Sequence, residues 1–144
     1  MQNYEAKKPS YFATPSPQLI HALHEALTQI LARPLSERFA RHKAVSKKIK
    51  AKVTELGLKQ LASDPANQAN GMTAMYLPDG LIAPDFLPGL LERGVVFAGG
   101  LHKAIAPKYI RFGHMGVSVM DEDRPEIDRA LKALEERLQE IKSQ

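Results

Sequence analysis

Apolar residues recur at helical spacing in three stretches of the chain. A stripe that repeats every three or four positions is typical of a helix with one buried face. The spacing predicts helices over residues 17–32, over residues 36–56 and from residues 123–126 to about Ile141. The stripes are Leu19, Leu23, Ala26, Leu27, Ile30 and Leu31, then Phe39, Val45, Ile49, Val53 and Leu56, then Ile127, Leu131, Leu134, Leu138 and Ile141.

Proline, glycine and acidic residues mark the ends of these helices. Pro17 opens the first helix and Pro34 ends it, because proline lacks the N–H that a helix interior needs. Gly57 is placed to cap the second helix. Asp123 and Glu126 stand three residues apart, which predicts a capping box at the start of the last helix.

Strand-like alternation occurs between the long helices. A further short helix over residues 83–93, ended by Gly94, interrupts this region. The pattern predicts strands over residues 72–77, 95–98 and 109–113, and it indicates a short strand at residues 58–61.

This order of elements predicts a two-layer α/β (α+β) sandwich. A three- to four-stranded, mainly antiparallel sheet would carry helices on one face and be preceded by a long helix. We expect residues 1–15 to be an extended N-terminal segment and residues 16–144 to be the folded domain. A chain of 144 residues is long enough for one domain with its own core.

Composition excludes several classes of protein. The chain has no cysteine, so a disulfide scaffold and a thiolate metal site are excluded, and an intracellular location is expected without a choice among cytoplasm, mitochondrion and peroxisome. No apolar run reaches the roughly 18 residues of a membrane span, and no secretory signal is evident. We therefore expect no membrane partner. The histidines have no metal-ligand spacing, so we also expect no metal site.

Residues 33–52 form a strongly basic stretch, in which Glu37 is the single acid. A basic helix can bind nucleic acid, or it can be a solvated outer face balanced by acids elsewhere. No aromatic residue alternates with the lysines, as a surface for single-stranded nucleic acid would require. The pattern therefore favours the solvated face and no nucleic-acid partner.

One arginine stands out in the run PKYIRFGHMG at residues 107–116. Arg111 alternates with Ile110 and Phe112, so it lies on the opposite face of a strand from both. A planar guanidinium beside glycines suits bidentate capture of a carboxylate. A surface strand with one charged residue is the alternative, and spacing alone favours it. His114 could move protons near neutral pH, but a structural role is favoured.

The run from Arg111 to Gly116 reads R-x-G-H-M-G and resembles the C-terminal end of alanine–glyoxylate (serine–pyruvate) aminotransferases. These are class V, fold type I enzymes that use pyridoxal phosphate. The segment YFATP at residues 11–15 is similar to the Y-x-x-T-P segment of that family, and VVFAGGL at residues 95–101 is similar to its strand and Gly-Gly turn. The resemblance runs from Tyr11 to the C-terminus.

The resemblance implies that the chain is the small C-terminal domain of such an enzyme. It implies that Arg111 binds the carboxylate of an amino-acid or 2-oxo-acid substrate. Tyr11 and Thr14 would contact the phosphate of pyridoxal phosphate in a neighbouring subunit, which makes a homodimer or a large-domain partner the expected assembly. Gly99 and Gly100 would allow a tight turn near the mouth of the active site.

The resemblance also identifies what is missing. The family's Schiff-base lysine, in a Ser-x-x-Lys run before a Pro-Pro-Gly turn, has no counterpart in this sequence, and neither does the aspartate that contacts the cofactor ring. We therefore assign no catalytic residue and expect the isolated chain to be inactive, without stable binding of the cofactor. The alternative is a non-catalytic oligomerisation or interaction module that has kept the small-domain fold and exposes apolar surface.

Overall fold

The computed structural model describes residues 2–11 and 13–143. The chain divides between Leu35 and Ser36 into two compact units. The first unit contains helix α1 (Gln2–Glu5) and helix α2 (Pro17–Leu31). The short helix α1 replaces part of the extended segment expected there, because the backbone closes local bonds such as Ala6 N–H to the Gln2 carbonyl (3.0 Å).

Helix α2 confirms the first predicted helix. Pro17 stands at its start, after Ser16, whose side chain makes no capping bond. The N–H of Ala32 donates to the Thr28 carbonyl (3.0 Å), so the helical bonds continue just past the last helical residue. None of the residues of α2 is buried.

Among its described residues, the second unit has four α-helices: α3 (Leu35–Glu55, beginning at the last residue of the first unit), α4 (Ala83–Glu92), α5 (Val117–Met120) and α6 (Glu126–Lys142). The predicted capping box at Asp123 and Glu126 is wrong. Helix α6 begins only at Glu126, preceded by Pro125, and it has no side-chain cap. The backbone N–H of Asp123 donates instead to the Asp121 carboxylate (3.1 Å) in the preceding turn.

The sheet contains strands β1 (Met72–Tyr76), β2 (Ala98–Gly99) and β3 (Tyr109–Gly113), in the order β1-β3-β2 and antiparallel throughout. The strand predicted at residues 95–98 is displaced: Phe97 is buried, but ladder pairing starts only at Ala98. The strand indicated at residues 58–61 is reduced to one antiparallel bridge between Gln60 and Met75.

The core lies between one face of this sheet and the helices of the second unit. Met75 and Ile110 of the sheet are fully buried against side chains from α3, α4 and α6. The two-layer α+β arrangement is therefore confirmed. Its fully buried apolar side chains are Phe86, Ile49, Met75, Leu90, Ile110, Leu134, Val53 and Val119.

The described part of the chain has neither a membrane-spanning helix nor a cluster of metal ligands. None of its helices is long and apolar enough to cross a membrane. Among the same residues, no three or more histidine, aspartate or glutamate side chains cluster so that they could hold a metal ion.

Candidate functional site

Arg111 lies on the central strand β3, with Ala74 of β1 and Ala98 of β2 directly opposite it. The buried neighbours Ile110 and Phe112 face the core, so Arg111 lies on the other face of the sheet, where it is half-buried. Alanines on both sides leave the space next to the guanidinium open.

A single hydrogen bond orients this guanidinium. Arg111 Nε donates to the carbonyl oxygen of Gly99 at 2.8 Å. Within residues 2–11 and 13–143, no carboxylate pairs with Arg111 and neither Nη atom has a hydrogen-bond partner. Because Nε is occupied, the two Nη groups remain as a parallel pair of donors, the geometry that binds a carboxylate end-on.

The loop after β2 is held next to Arg111 by Tyr109. The phenolic oxygen of Tyr109 accepts hydrogen bonds from the backbone N–H groups of Leu101 (2.8 Å) and His102 (3.1 Å). The bonds from His102 and Leu101 hold the pKa of the Tyr109 phenol below its usual value, and the charge of Arg111 acts in the same direction. Sequence reasoning missed this residue, although its position two before Arg111 puts it on the same face of β3.

Gly100 is required in this loop, whereas Gly99 is not. A Cβ on Gly100 would lie 2.5 Å from the Ala106 carbonyl oxygen and would collide with the Tyr109 ring. A Cβ on Gly99 would meet only Leu87 Cδ1, at 3.8 Å, which is ordinary contact. Gly100 therefore permits close packing of the loop on Tyr109, and neither glycine adopts a backbone conformation reserved for glycine.

His114 lies on the core side of the same region. It is fully buried, its Nε2 is 2.8 Å from the Thr73 hydroxyl, and its ring meets Phe112 edge-on. Burial lowers the pKa of His114 to about 4, so the ring is neutral near pH 7. An enclosed neutral ring fits a structural role better than proton transfer with a substrate.

Tyr11 and Thr14 lie in the first unit, in the segment that precedes α2. Their hydroxyl oxygens are 2.5 Å apart, so one donates to the other, and both side chains are exposed. The structure thus brings these two predicted site residues together, in a different unit from Arg111. Two adjacent hydroxyls can donate together to a phosphate oxygen.

Three lysines of α3 have partners within the protein. Lys48 pairs with Asp128 (2.5 Å), and Lys52 pairs with Glu55 (2.7 Å). Partial burial lowers the pKa of Lys50, but its Nζ donates to the Ala69 carbonyl (2.8 Å). Arg111 thus suits a carboxylate and the hydroxyls of Tyr11 and Thr14 suit part of a phosphate site, whereas these three lysines offer no unpaired amine for a Schiff base.

Comparisons with known proteins show which enzymes the chain is similar to. No protein-family model matches the chain. It is 46% identical over 127 residues to alanine–glyoxylate aminotransferase 1 of Saccharomyces cerevisiae, covering 87% of this chain and 32% of that protein. Its homologues are alanine– and serine–glyoxylate aminotransferases, which are class V enzymes, and the match covers about 30% of their length, as a C-terminal small domain would.

Two further matches are also aminotransferases, and the solved structure among them shares the fold. Serine–glyoxylate aminotransferase of Hyphomicrobium methylovorum is 31% identical over 105 residues, which are 72% of this chain and 26% of that protein. The crystal structure of pyridoxamine–pyruvate aminotransferase from Mesorhizobium loti superposes with a TM-score of 0.81 at 28% identity, over 96% of this chain and 35% of that one. The chain spans about a third of the length of the aminotransferases it matches.

Proposed function

We propose that this chain is the part of a pyridoxal-phosphate-dependent alanine–glyoxylate (serine–pyruvate) aminotransferase that binds the substrate carboxylate. The observation that carries the proposal is Arg111, a half-buried guanidinium without a protein carboxylate beside it among the described residues. An arginine held in this way lacks the ion pair that a purely structural arginine usually makes.

Carboxylate binding is the step that a transaminase needs from such a residue. When bound, pyridoxal phosphate supplies an electron sink for the reaction at the α-carbon. Arg111 would hold the α-carboxylate through its two Nη groups, while the bond from Nε to the Gly99 carbonyl fixes the plane of the guanidinium. A fixed plane orients the rest of the amino acid, because bidentate contact leaves the carboxylate little freedom to rotate.

Tyr11 and Thr14 would contribute to cofactor binding through their hydroxyls. The two groups already lie within one hydrogen bond of each other, and Tyr11 is 83% exposed. In the family, the matching positions reach the phosphate of the neighbouring subunit, so we assign these two residues the same role in a homodimer. Their contact with each other would be exchanged for contact with phosphate.

The isolated chain should not catalyse transamination. A Schiff-base lysine needs a lowered pKa and free access to the cofactor aldehyde. Lys48 and Lys52 are held in ion pairs, and Lys50 donates to a backbone carbonyl. The lysine and most of the cofactor site would come from a large domain.

Binding of acetate tests the assignment of Arg111. We expect the Nε–H resonance of Arg111 to shift saturably with acetate, with an affinity of order 0.1 M, since an exposed ion pair contributes about 1 kcal/mol. Acetamide and sodium chloride at equal ionic strength serve as ligand controls. Arg111→Gln should abolish saturation in the surrounding backbone signals, while Arg124→Gln, which removes an exposed charge elsewhere, should not. Equal responses in the wild type and Arg111→Gln would contradict the proposal.

Reduction with borohydride tests the absence of a Schiff base. The chain would be mixed with equimolar pyridoxal phosphate, reduced, and measured by intact mass and peptide mapping. We expect no stoichiometric adduct at any lysine. A single full adduct would overturn the prediction of inactivity, and Lys50 is the lysine to inspect first because its pKa is lowered.

An oligomerisation module is the second candidate, and α2 is the observation that favours it. Its apolar stripe is exposed, with Leu19 at 71% and Leu31 at 66%, and Leu23 at 58%. Exposed apolar surface of this kind drives association. On this proposal the same fold would act without cofactor, through contact with a second copy.

A further inference from the structure

We propose that Tyr109 is the residue that positions Arg111 for the substrate carboxylate. It would act through the loop after β2 and not by touching the substrate. The inference rests on the proposed function of Arg111, and it adds a residue to which neither the motif nor the family resemblance assigns a role.

The strand that holds the Arg111 side chain in place is short and weakly paired. The Gly99 carbonyl is the sole hydrogen-bond partner of the Arg111 side chain among the described residues. Gly99 belongs to β2, a two-residue strand at the edge of the sheet. Such a short edge strand has little pairing of its own. The direction of the Gly99 carbonyl therefore depends on what holds the chain that follows it.

Tyr109 holds that chain. Leu101 is 74% exposed and His102 is also exposed, so the loop gains little from burial of its own side chains. Its backbone is instead fixed by the two N–H bonds to the Tyr109 oxygen, at 2.8 and 3.1 Å. Tyr109 is only 4% exposed and lies on the central strand, so it is a buried anchor for an exposed loop.

Gly100 connects Tyr109 to the Gly99 carbonyl. The Tyr109 ring and the Ala106 carbonyl approach Gly100 so closely that no Cβ fits there. The phenol thus contacts the residue directly after Gly99 with its ring and the next two residues with its oxygen. Movement of the loop away from Tyr109 would rotate the Gly99 carbonyl and release Arg111 Nε.

The variant Tyr109→Phe tests this inference because it keeps the ring and removes the oxygen. Loss of a buried acceptor leaves two N–H groups without their partner, so we expect exchange of the Leu101 and His102 amide protons to accelerate about tenfold. We expect the Arg111 Nε–H proton to exchange faster by a similar factor. Acetate affinity at Arg111 should fall by about threefold or more.

Tyr76→Phe is the matched control. Tyr76 lies opposite Tyr109 on β1 and meets its ring edge-on at 6.5 Å, but its hydroxyl has no hydrogen bond within the described residues. We expect wild-type exchange and acetate affinity in this variant. The core amides of Ile110 and Phe112 should keep their protection in Tyr109→Phe, which separates loosening of the loop from general destabilisation.

The outcomes distinguish this inference from the proposed function. Unchanged exchange at Arg111 Nε–H in Tyr109→Phe would overturn the positioning role, even if the wild type binds acetate. A wild type that does not bind acetate would count against the proposed function, while faster Nε–H exchange in Tyr109→Phe would still support the link between the two residues.

Discussion

At the scale of a single residue, the burial of His114 makes the stability of the protein sensitive to acid. Its ring is fully buried and its pKa is lowered to about 4, whereas the unfolded chain has the ordinary value of 6.5. Above pH 6.5 the ring is neutral in both states and its contribution to stability is complete. As the pH falls from 6.5 towards 4, only the unfolded state gains the proton, so the free energy of unfolding decreases.

We expect this residue to account for about 1–3 kcal/mol of stability lost between pH 7.5 and pH 4.5, after allowance for solvent screening. Urea unfolding of the wild type and His114→Gln at the two pH values measures the effect. The glutamine variant should be less stable at pH 7.5 and should lose less stability on acidification. His102→Gln, at an exposed position, is the control. An equal gap between the wild type and His114→Gln at both pH values would contradict the prediction.

Single residues differ in how far the sequence predicts them. Alternation along residues 109–113 correctly places Arg111 on the face away from the core. It gives no sign that the phenol of Tyr109 accepts from Leu101 and His102, because those bonds depend on the path of an irregular loop. Periodicity predicts the face of a strand, but it does not predict hydrogen bonds to a loop.

At the scale of elements, α3 ends at a glycine signal that the local sequence contains. Gly57 has φ of +78°, its N–H donates to the Thr54 carbonyl (2.9 Å), and the Leu58 N–H donates to the Val53 carbonyl (3.1 Å). This pair of bonds is a Schellman motif, and the buried side chains of Leu58 and Val53 add the usual apolar contact. The predicted cap at Gly57 is confirmed.

Substitution at Gly57 should therefore be costly for a conformational reason alone. A Cβ there would meet no atom within 4 Å, so the left-handed backbone is the sole source of strain. We expect Gly57→Ala to lower the free energy of unfolding by about 1–2 kcal/mol and Gly57→Asn by less, because asparagine tolerates this conformation better. Urea unfolding measures both.

Gly113→Ala is the matched control, since Gly113 also has open space around it but does not have a positive φ. It should change stability by less than about 0.5 kcal/mol. Equal losses at Gly57 and Gly113 would show that the cap conformation is not what glycine supplies.

Elements that depend on distant partners were predicted less well. The apolar run at residues 95–98 has the composition of a strand, but the ladder begins only where Ala98 meets Arg111 of β3. Val96 is 82% exposed, so alternation in this run reflects burial of Phe97 and not strand pairing. The helix start predicted at Asp123 is likewise replaced by a tight turn. In this turn the Asp121 carboxylate accepts a hydrogen bond from the backbone N–H of Asp123.

At the scale of the whole molecule, ion pairs balance part of the positive charge of α3. Arg41 pairs with Glu122 (2.8 Å), and Lys48 and Lys52 pair with Asp128 and Glu135 at 2.5 and 3.1 Å. The basic helix α3 is thus balanced in part by acids near or within α6. These pairs agree with the interpretation of α3 as a charged outer face, and the absence of a nucleic-acid partner stays a prediction.

Association of the whole chain is the remaining prediction, and it depends on α2. Its leucines repeat at helical spacing, yet Leu23 remains 58% exposed and Leu27 45% exposed. Each leucine buried in an interface contributes about 1–2 kcal/mol, so a symmetric contact that buries this stripe from two copies can sustain a dimer at micromolar concentration. We expect sedimentation velocity from 5 to roughly 200 μM, spanning the affinities of ordinary dimers, to show a concentration-dependent increase in mass.

The stripe can be tested against exposed apolar residues elsewhere. The double variant Leu23→Glu, Leu27→Glu should weaken association at least about 100-fold, since four leucines leave a two-copy interface. Leu91→Glu, Val96→Glu changes side chains that are 63% and 82% exposed in the second unit, and it should associate like the wild type. If the control variant dissociates and the α2 variant does not, the association surface lies in the second unit. If the wild type stays monomeric throughout, the module proposal fails, and α2 is then left for the large domain that an aminotransferase of full length would supply.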